Sequence, residues 1–99
     1  MPTRIVFRRI AKREMDESIA WYENQRAHLG LEFAIEVDKT LEHIALNPNQ
    51  FPLIRIRGEI RRALLRRLPY GLYYLIEENR VVIVAVFHFK RDPTLLEDR

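Results

Sequence analysis

The stretch "LPYGLYYLIEENRVVIVAVFHFK", Leu68–Lys90, holds two apolar runs joined by Glu78-Asn79 and preceded by a proline-glycine turn. Its β-branched and aromatic content, cut by turn residues, predicts strands over Leu72–Glu77 and Arg80–Phe89, preceded by another over Ile60–Leu68. Asn79 tolerates positive φ, so "EENR" predicts a tight hairpin turn. Pro69 cannot take the positive φ of a two-residue hairpin loop. It fits the second position of a type I turn, with Gly71 left-handed as a bulge. That turn sets Leu68 opposite Leu72, Arg66 opposite Tyr74 and Leu64 opposite Ile76. The next turn sets Tyr74 opposite Ile83 and Leu72 opposite Ala85.

Two sheet faces follow from this register. One carries Leu64, Leu68, Leu72, Tyr74, Ile76, Val81, Ile83, Ala85 and Phe87, and is assigned to the core. The other carries Arg61, Ala63, Leu65, Arg67, Tyr73, Leu75, Val82, Val84, Val86, His88 and Lys90, an apolar centre with polar rims.

Upstream, "RIVFRR" (Arg4–Arg9) reads as a first strand. The period then becomes helical: Ala11, Met15, Ile19 and Tyr22 form one stripe, and Ala34, Val37, Leu41 and Ile44 a second. Gly30 in "HLGL" supplies a left-handed residue between two helices that pack as an antiparallel hairpin. Asn47-Pro48-Asn49 stops the second helix, and "RIRGEI" reads as a turn or irregular entry around Gly58. Trp21 and Tyr22 read as helix core and helix flank rather than stacking platforms. Asp92-Pro93 ends the last strand, and "TLLEDR" is one helical turn or a loose end.

The expected fold class is therefore α+β: a β-α-α-β-β-β chain, residues 1–99 as a single domain, with a helix hairpin on one face of a mainly antiparallel four-stranded sheet. Two helices cover one face only, so the second is expected to be largely open.

Composition narrows the function classes. The chain has no cysteine, which excludes disulfides and thiolate chemistry and fits a cytoplasmic setting. The opening "MPTRIVFRRIAKREMDE" is too charged for a secretory signal, and the seven-residue apolar run Val81–Phe87 is too short for a bilayer. Net charge is +3, and six arginines (Arg55, Arg57, Arg61, Arg62, Arg66, Arg67) meet only Glu59 between positions 55 and 67. Such a cluster suits nucleic acid, an acidic protein surface or plain solvent; arginine favours bidentate contacts with phosphate or carboxylate.

His88 with Arg67, Tyr73, Lys90 and Arg91 would suit metal-free RNA cleavage, with His or Tyr moving protons and Arg or Lys stabilising the phosphorane. The alternative is that His88 caps a buried strand and the cations form a soluble rim. His28, His43 and His88 form no metal motif, and there is no Gly-rich phosphate loop, G-x-S-x-G or paired-carboxylate pattern. Neither a metal nor a cofactor is expected.

The segments "RIVFRRIAKREMDE", "AWYENQRAHLGLEF", "NPNQFP" and "RRALLRRLPYGLYYLIEENRVVIVAVFHFKRDP", with "H-x-x-R-D-P" the most specific element, together span nearly the whole chain. In this order and length they resemble the RelE/ParE superfamily of bacterial type II toxin–antitoxin toxins. The resemblance implies a cytoplasmic toxin neutralised by a cognate antitoxin whose extended segment wraps it. RelE-like members cleave mRNA on the ribosome without a metal; ParE-like members bind DNA gyrase.

RelE-like ribonucleases carry an arginine after the tyrosine opening the third strand, where this chain has Gly71 after Tyr70. Their second-strand lysines are arginines here, while their arginine after the last strand matches Arg91. The pattern leans ParE-like. The expected target contacts are Arg61, Arg67, Tyr73, His88, Lys90 and Arg91, and the expected antitoxin contacts are Leu65, Leu75, Val82, Val84 and Val86. For a ribonuclease the trio is Arg67, His88 and Arg91. A degenerate, non-toxic antitoxin binder is the third alternative.

Overall fold

The computed structural model describes residues 2–54 and 59–99. The chain runs β1 (Arg4–Phe7), α1 (Arg9–Gln25), α2 (Leu29–Leu46), β2 (Leu53–Ile54), β3 (Ile60–Leu64), β4 (Tyr70–Glu77), β5 (Arg80–His88) and a 3-10 turn, Pro93–Leu96. Among the described residues the strands form a five-stranded sheet in the order β1-β5-β4-β3-β2. β1 lies parallel to β5 and the other pairs are antiparallel. The expected α+β class stands; the added strand is the two-residue β2, too short to show a period. The irregular entry expected around Gly58 lies outside the described residues.

Ala11, Met15, Ile19 and Tyr22 of α1 turn toward the sheet as their spacing requires, and Trp21 flanks them in solvent. On α2 the buried line is Phe33, Val37, Thr40 and Ile44. Thr40 is tolerated there because its hydroxyl donates to the Glu36 carbonyl at 2.8 Å. Pro48 follows the end of α2, and its carbonyl accepts the Tyr74 hydroxyl at 2.6 Å. Burial pushes that phenol up to about 12.

The helix junction differs from the expected glycine turn. His28, not Gly30, takes the left-handed conformation, with φ 73°. Gly30 lies inside α2, where an added Cβ would sit 2.7 Å from the Ile19 carbonyl oxygen. The glycine is needed for close helix approach. Glu23 accepts the N–H groups of His28 at 2.9 Å and Gly30 at 3.0 Å. These bonds at the start of α2 hold its carboxyl below the usual range.

The Glu78-Asn79 turn forms as read, both residues at positive φ, and Tyr74 pairs with Ile83. The proline turn forms differently. Leu65 N–H donates to the Tyr70 carbonyl and Tyr70 N–H to the Leu68 carbonyl, each at 2.8 Å, closing a longer loop. Gly71 lies in β4, and Leu64 pairs with it instead of Ile76. An odd displacement inverts every side chain of β3. Ala63 and Leu65 therefore lie beneath the helices, while Leu64 is 48% exposed.

A second inversion occurs in β5. Tyr73 pairs with Ala85 but Tyr74 with Ile83, leaving Val84 as an extra, bulged residue. Before it, Val81 and Ile83 face the helices and Val82 the opposite side. After it, Val86 faces the helices, while Ala85 and Phe87 join the second face.

That second face is closed. Val84 is 0% exposed, and Val82, Tyr73, Ala85 and Phe87 are buried with it against Leu96 of the 3-10 turn, itself 1% exposed. Burying this one leucine contributes roughly 2 kcal/mol. Asp92 caps the turn by accepting Thr94 N–H at 2.9 Å. Arg99 anchors it by a bidentate pair with Glu14 of α1, at 2.9 and 3.1 Å, and donates to the Val84 carbonyl at 3.0 Å. Glu14 also accepts Val86 N–H at 3.1 Å. β1 stops opposite Ile83, so these two side chains occupy the edge of β5 where a neighbouring strand would otherwise bond.

Candidate functional site

The exposed cations gather at one end of the sheet. Arg67 N–H donates to Glu36 of α2 at 2.9 Å, which holds the β3–β4 loop against the helix. Phe89 N–H donates to the Pro69 carbonyl at 3.0 Å, tying the chain beyond β5 to that loop. Arg66 and Arg67 thus share an end of the sheet with Lys90 and Arg91, all exposed. Lys90 lies 5.9 Å from the Phe89 ring centre and the Arg91 guanidinium 5.3 Å from that of Phe87. Asp92 stays with its cap on Thr94, which holds its carboxyl below the usual range.

Other expected target residues are occupied within the fold. The Arg61 guanidinium donates to the Asn49 carbonyl at 3.1 Å and the Phe51 carbonyl at 2.6 Å, bracing the loop after α2. Tyr73 is buried, its ring 4.5 Å from that of Phe87. Burial pushes its phenol up, against the opposing hydrogen bond and charge of Arg62.

His88 does not share an open face with Lys90. Past the bulge it turns toward the helix side, its ring 5.7 Å from Tyr70 and stacked at 5.3 Å on Phe89. Its Nδ1 accepts Lys90 N–H at 3.1 Å, so the neutral ring carries its proton on Nε2. His88, Arg91, Tyr70, Trp21 and Glu17 line a shallow depression of about 220 Å³ beside α1. Arg67 lines a different and larger concavity. Of the ribonuclease trio, the structure places two members in one depression and the third in another.

Position 71, where RelE-like ribonucleases place an arginine, is tight. A Cβ there would meet Arg62 Cγ and the Tyr73 ring, each at 3.2 Å. The expected antitoxin contacts are also enclosed: Leu65 and Val86 lie beneath the helices, Val82 and Val84 beneath Leu96, with Leu75 half-buried. The register expected from the sequence placed them on an open face; loop length, bulge and the 3-10 turn together closed it.

The larger concavity is a groove of about 670 Å³ between α2 and the β3–β4 loop. Ile35, 43% exposed, and Leu64 give it apolar walls, and Lys39, Arg66 and Arg67 line it with charge. The sequence signal for this face was Ile35, an apolar residue outside the stripe assigned to the core. Leu64 carried no usable signal, because the expected register had buried it.

A helix pair on a mainly antiparallel sheet defines a RelE/ParE-like fold. Among the described residues no group of acids and histidines is able to hold a metal, and no helix is long and apolar enough to cross a membrane. The chain belongs to the ParE toxin family of type II toxin–antitoxin systems: the family model described as "ParE toxin of type II toxin-antitoxin system, parDE" matches residues 5–93. A solved structure described as "Chromosomal ParDE TA system from P. aeruginosa" has the same fold, with a TM-score of 0.75 at 15% identity, over 87% of this chain and 95% of that one. No curated protein sequence matches the chain.

Proposed function

We propose that this protein is the toxin of a cytoplasmic toxin–antitoxin module, that it arrests growth by binding a protein target, DNA gyrase, and that a cognate antitoxin neutralises it. The carrying observation is the division of the polar groups. Arg67 lines the groove along α2, while His88 and Arg91 line the depression beside α1. RNA cleavage needs a proton acceptor, a proton donor and a cation around one phosphate. Cations set beside apolar walls suit protein docking instead.

Arg67, Lys90 and Arg91 are the target contacts favoured by their exposure. Arg61, Tyr73 and His88 act on the target through the shape they maintain. Among the apolar residues expected to meet the antitoxin, Leu75 is the one left partly exposed, while Leu96 covers Val82 and Val84. Leu65 and Val86 lie beneath the helices.

Purified protein should inhibit gyrase supercoiling or trap cleaved DNA complexes, and Arg67→Glu with Arg91→Glu should reduce this at least about tenfold. No effect at stoichiometric excess would refute the gyrase reading. The shared depression of His88, Arg91 and Tyr70 is what favours a ribosome-dependent ribonuclease as the second reading. Primer extension on translated mRNA would then show cuts that a His88→Ala, Arg91→Ala variant abolishes.

A further inference from the structure

The depression between α1 and the end of β5 is rich in hydrogen-bond donors. Glu14, Glu17, Ser18 and Trp21 recur at three- and four-residue steps, so one face of α1 forms its wall. Tyr70, His88 and Arg91 line it from the sheet. Ser18, Trp21, Tyr70 and Arg91 each carry a side-chain N–H or O–H, and His88 adds Nε2–H because its Nδ1 accepts Lys90 N–H. Among the described residues none of these donors has a hydrogen-bond acceptor. Glu14 is committed to Arg99 and Val86, which leaves Glu17 as the acceptor. Helical spacing placed Trp21 in the core, yet its indole is 56% exposed, edge-to-face with Tyr22 at 5.0 Å.

We infer that this depression binds a single nucleotide, its phosphate against Arg91 and His88 Nε2–H, its sugar hydroxyls toward Glu17 and its base stacked on Trp21. Arginine is the side chain whose fork fits phosphate, and the neighbouring Lys90, Arg66 and Arg67 draw anions to this end of the sheet. At about 220 Å³ the depression is smaller than the roughly 300–1,000 Å³ of sites that enclose a whole ligand. The phosphate and sugar therefore enter while the base lies on the exposed indole, a contact that any base can make. A carboxylate from a protein partner would use the donors and leave the indole without one. A duplex keeps its bases paired and out of reach of Trp21. Arg91 is the one permanent cation lining the depression among the described residues, which suffices to hold a phosphate and falls short of the set that cleavage needs. The inference goes beyond the toxin reading and does not depend on it; because Arg91 is shared, a bound nucleotide competes with the protein target for that side chain.

Calorimetry on the full chain measures binding, and the fluorescence of Trp21, the chain's single tryptophan, reports stacking. Adenosine monophosphate should bind saturably and quench the indole, while adenosine and inorganic phosphate each bind at least about tenfold more weakly. Trp21→Leu and Arg91→Gln should each weaken the nucleotide at least about tenfold. Lys39→Gln removes the same charge from the α2 groove and should change nothing. All three positions are exposed, and unchanged thermal unfolding will show that the variants fold. A single-stranded tri-adenylate with a terminal phosphate forms the second arm. Tighter binding than the mononucleotide assigns the site to a strand end, weaker binding to a free nucleotide, and either supports the inference. Absence of saturation, adenosine matching its monophosphate, or Lys39→Gln matching Arg91→Gln would overturn it. So would displacement by an acidic peptide at lower concentration than by the nucleotide, or cleavage of the tri-adenylate. Gyrase inhibition by the same preparation is scored separately. Nucleotide binding without inhibition refutes the target alone; inhibition without nucleotide binding refutes the depression alone.

Discussion

Replacing Glu14 with alanine should destabilise the protein far more than loss of a surface ion pair. Glu14 accepts three hydrogen bonds, from Val86 N–H at 3.1 Å and from the Arg99 guanidinium at 2.9 and 3.1 Å. The two side chains are only 14% and 10% exposed. Removing one member of a buried pair costs about 3–5 kcal/mol, because the other charge stays in a poor environment. Here Arg99 can swing out into water, which places the cost near the lower end, about 3 kcal/mol. Its departure uncovers the Val84 carbonyl and loosens Leu96.

For a chain of this size that corresponds to a fall in Tm of roughly 12–24 °C. Urea unfolding followed by circular dichroism measures it, together with Arg99→Ala and the double variant. The coupling energy between the two sites should be at least about 1.5 kcal/mol. Glu14→Gln, which keeps an acceptor for Val86 N–H, should fall between wild type and Glu14→Ala. The single variants should also bind more of a hydrophobic dye, since Val82 and Val84 lose their cover. A loss under about 1 kcal/mol, typical of exposed pairs, or strict additivity would refute the reasoning.

Gly30→Ala should cost about 1–3 kcal/mol by forcing α2 away from the Ile19 carbonyl, measured by the same urea titration; a neutral result would mean the helices separate freely. Stability should also fall at alkaline pH through Tyr74. Its folded value of about 12 exceeds the ordinary 10.0, so the contribution is complete below pH 10 and is lost as pH rises toward 12. Tyr74→Phe should flatten that decline, and an unchanged slope would assign it to other groups.

The interior of each helix and the β4–β5 turn were legible because local chemistry decides them. Met15, Ile19 and Tyr22 recur at helical spacing, and Asn79 accepts positive φ wherever the fold places it. Gly30 was read correctly as special and given the wrong reason: a left-handed turn and a close helix contact leave the same mark in a sequence. Leu64 and Leu65 were exchanged because both are leucine, so nothing local distinguishes the buried one from the exposed one. The candidate site was legible as a set of cations. Their division between two concavities was not, since it depends on how the β3–β4 loop meets α2.

By itself, then, the sequence determined the order of elements, the helix hairpin, the turn at Glu78-Asn79, the basic character of the chain's second half and the family. Those properties reside in composition and in periods of a few residues. Only the tertiary structure decided which residues of β3 and β5 face the helices, what covers Val84, and where Arg67 stands relative to His88. A strand repeats every two residues, so one bulge or an odd change in loop length reverses its faces without changing any local preference. The buried contact of Leu96 and the pairing of Glu14 with Arg99 connect residues far apart in the chain, and no short-range pattern encodes them.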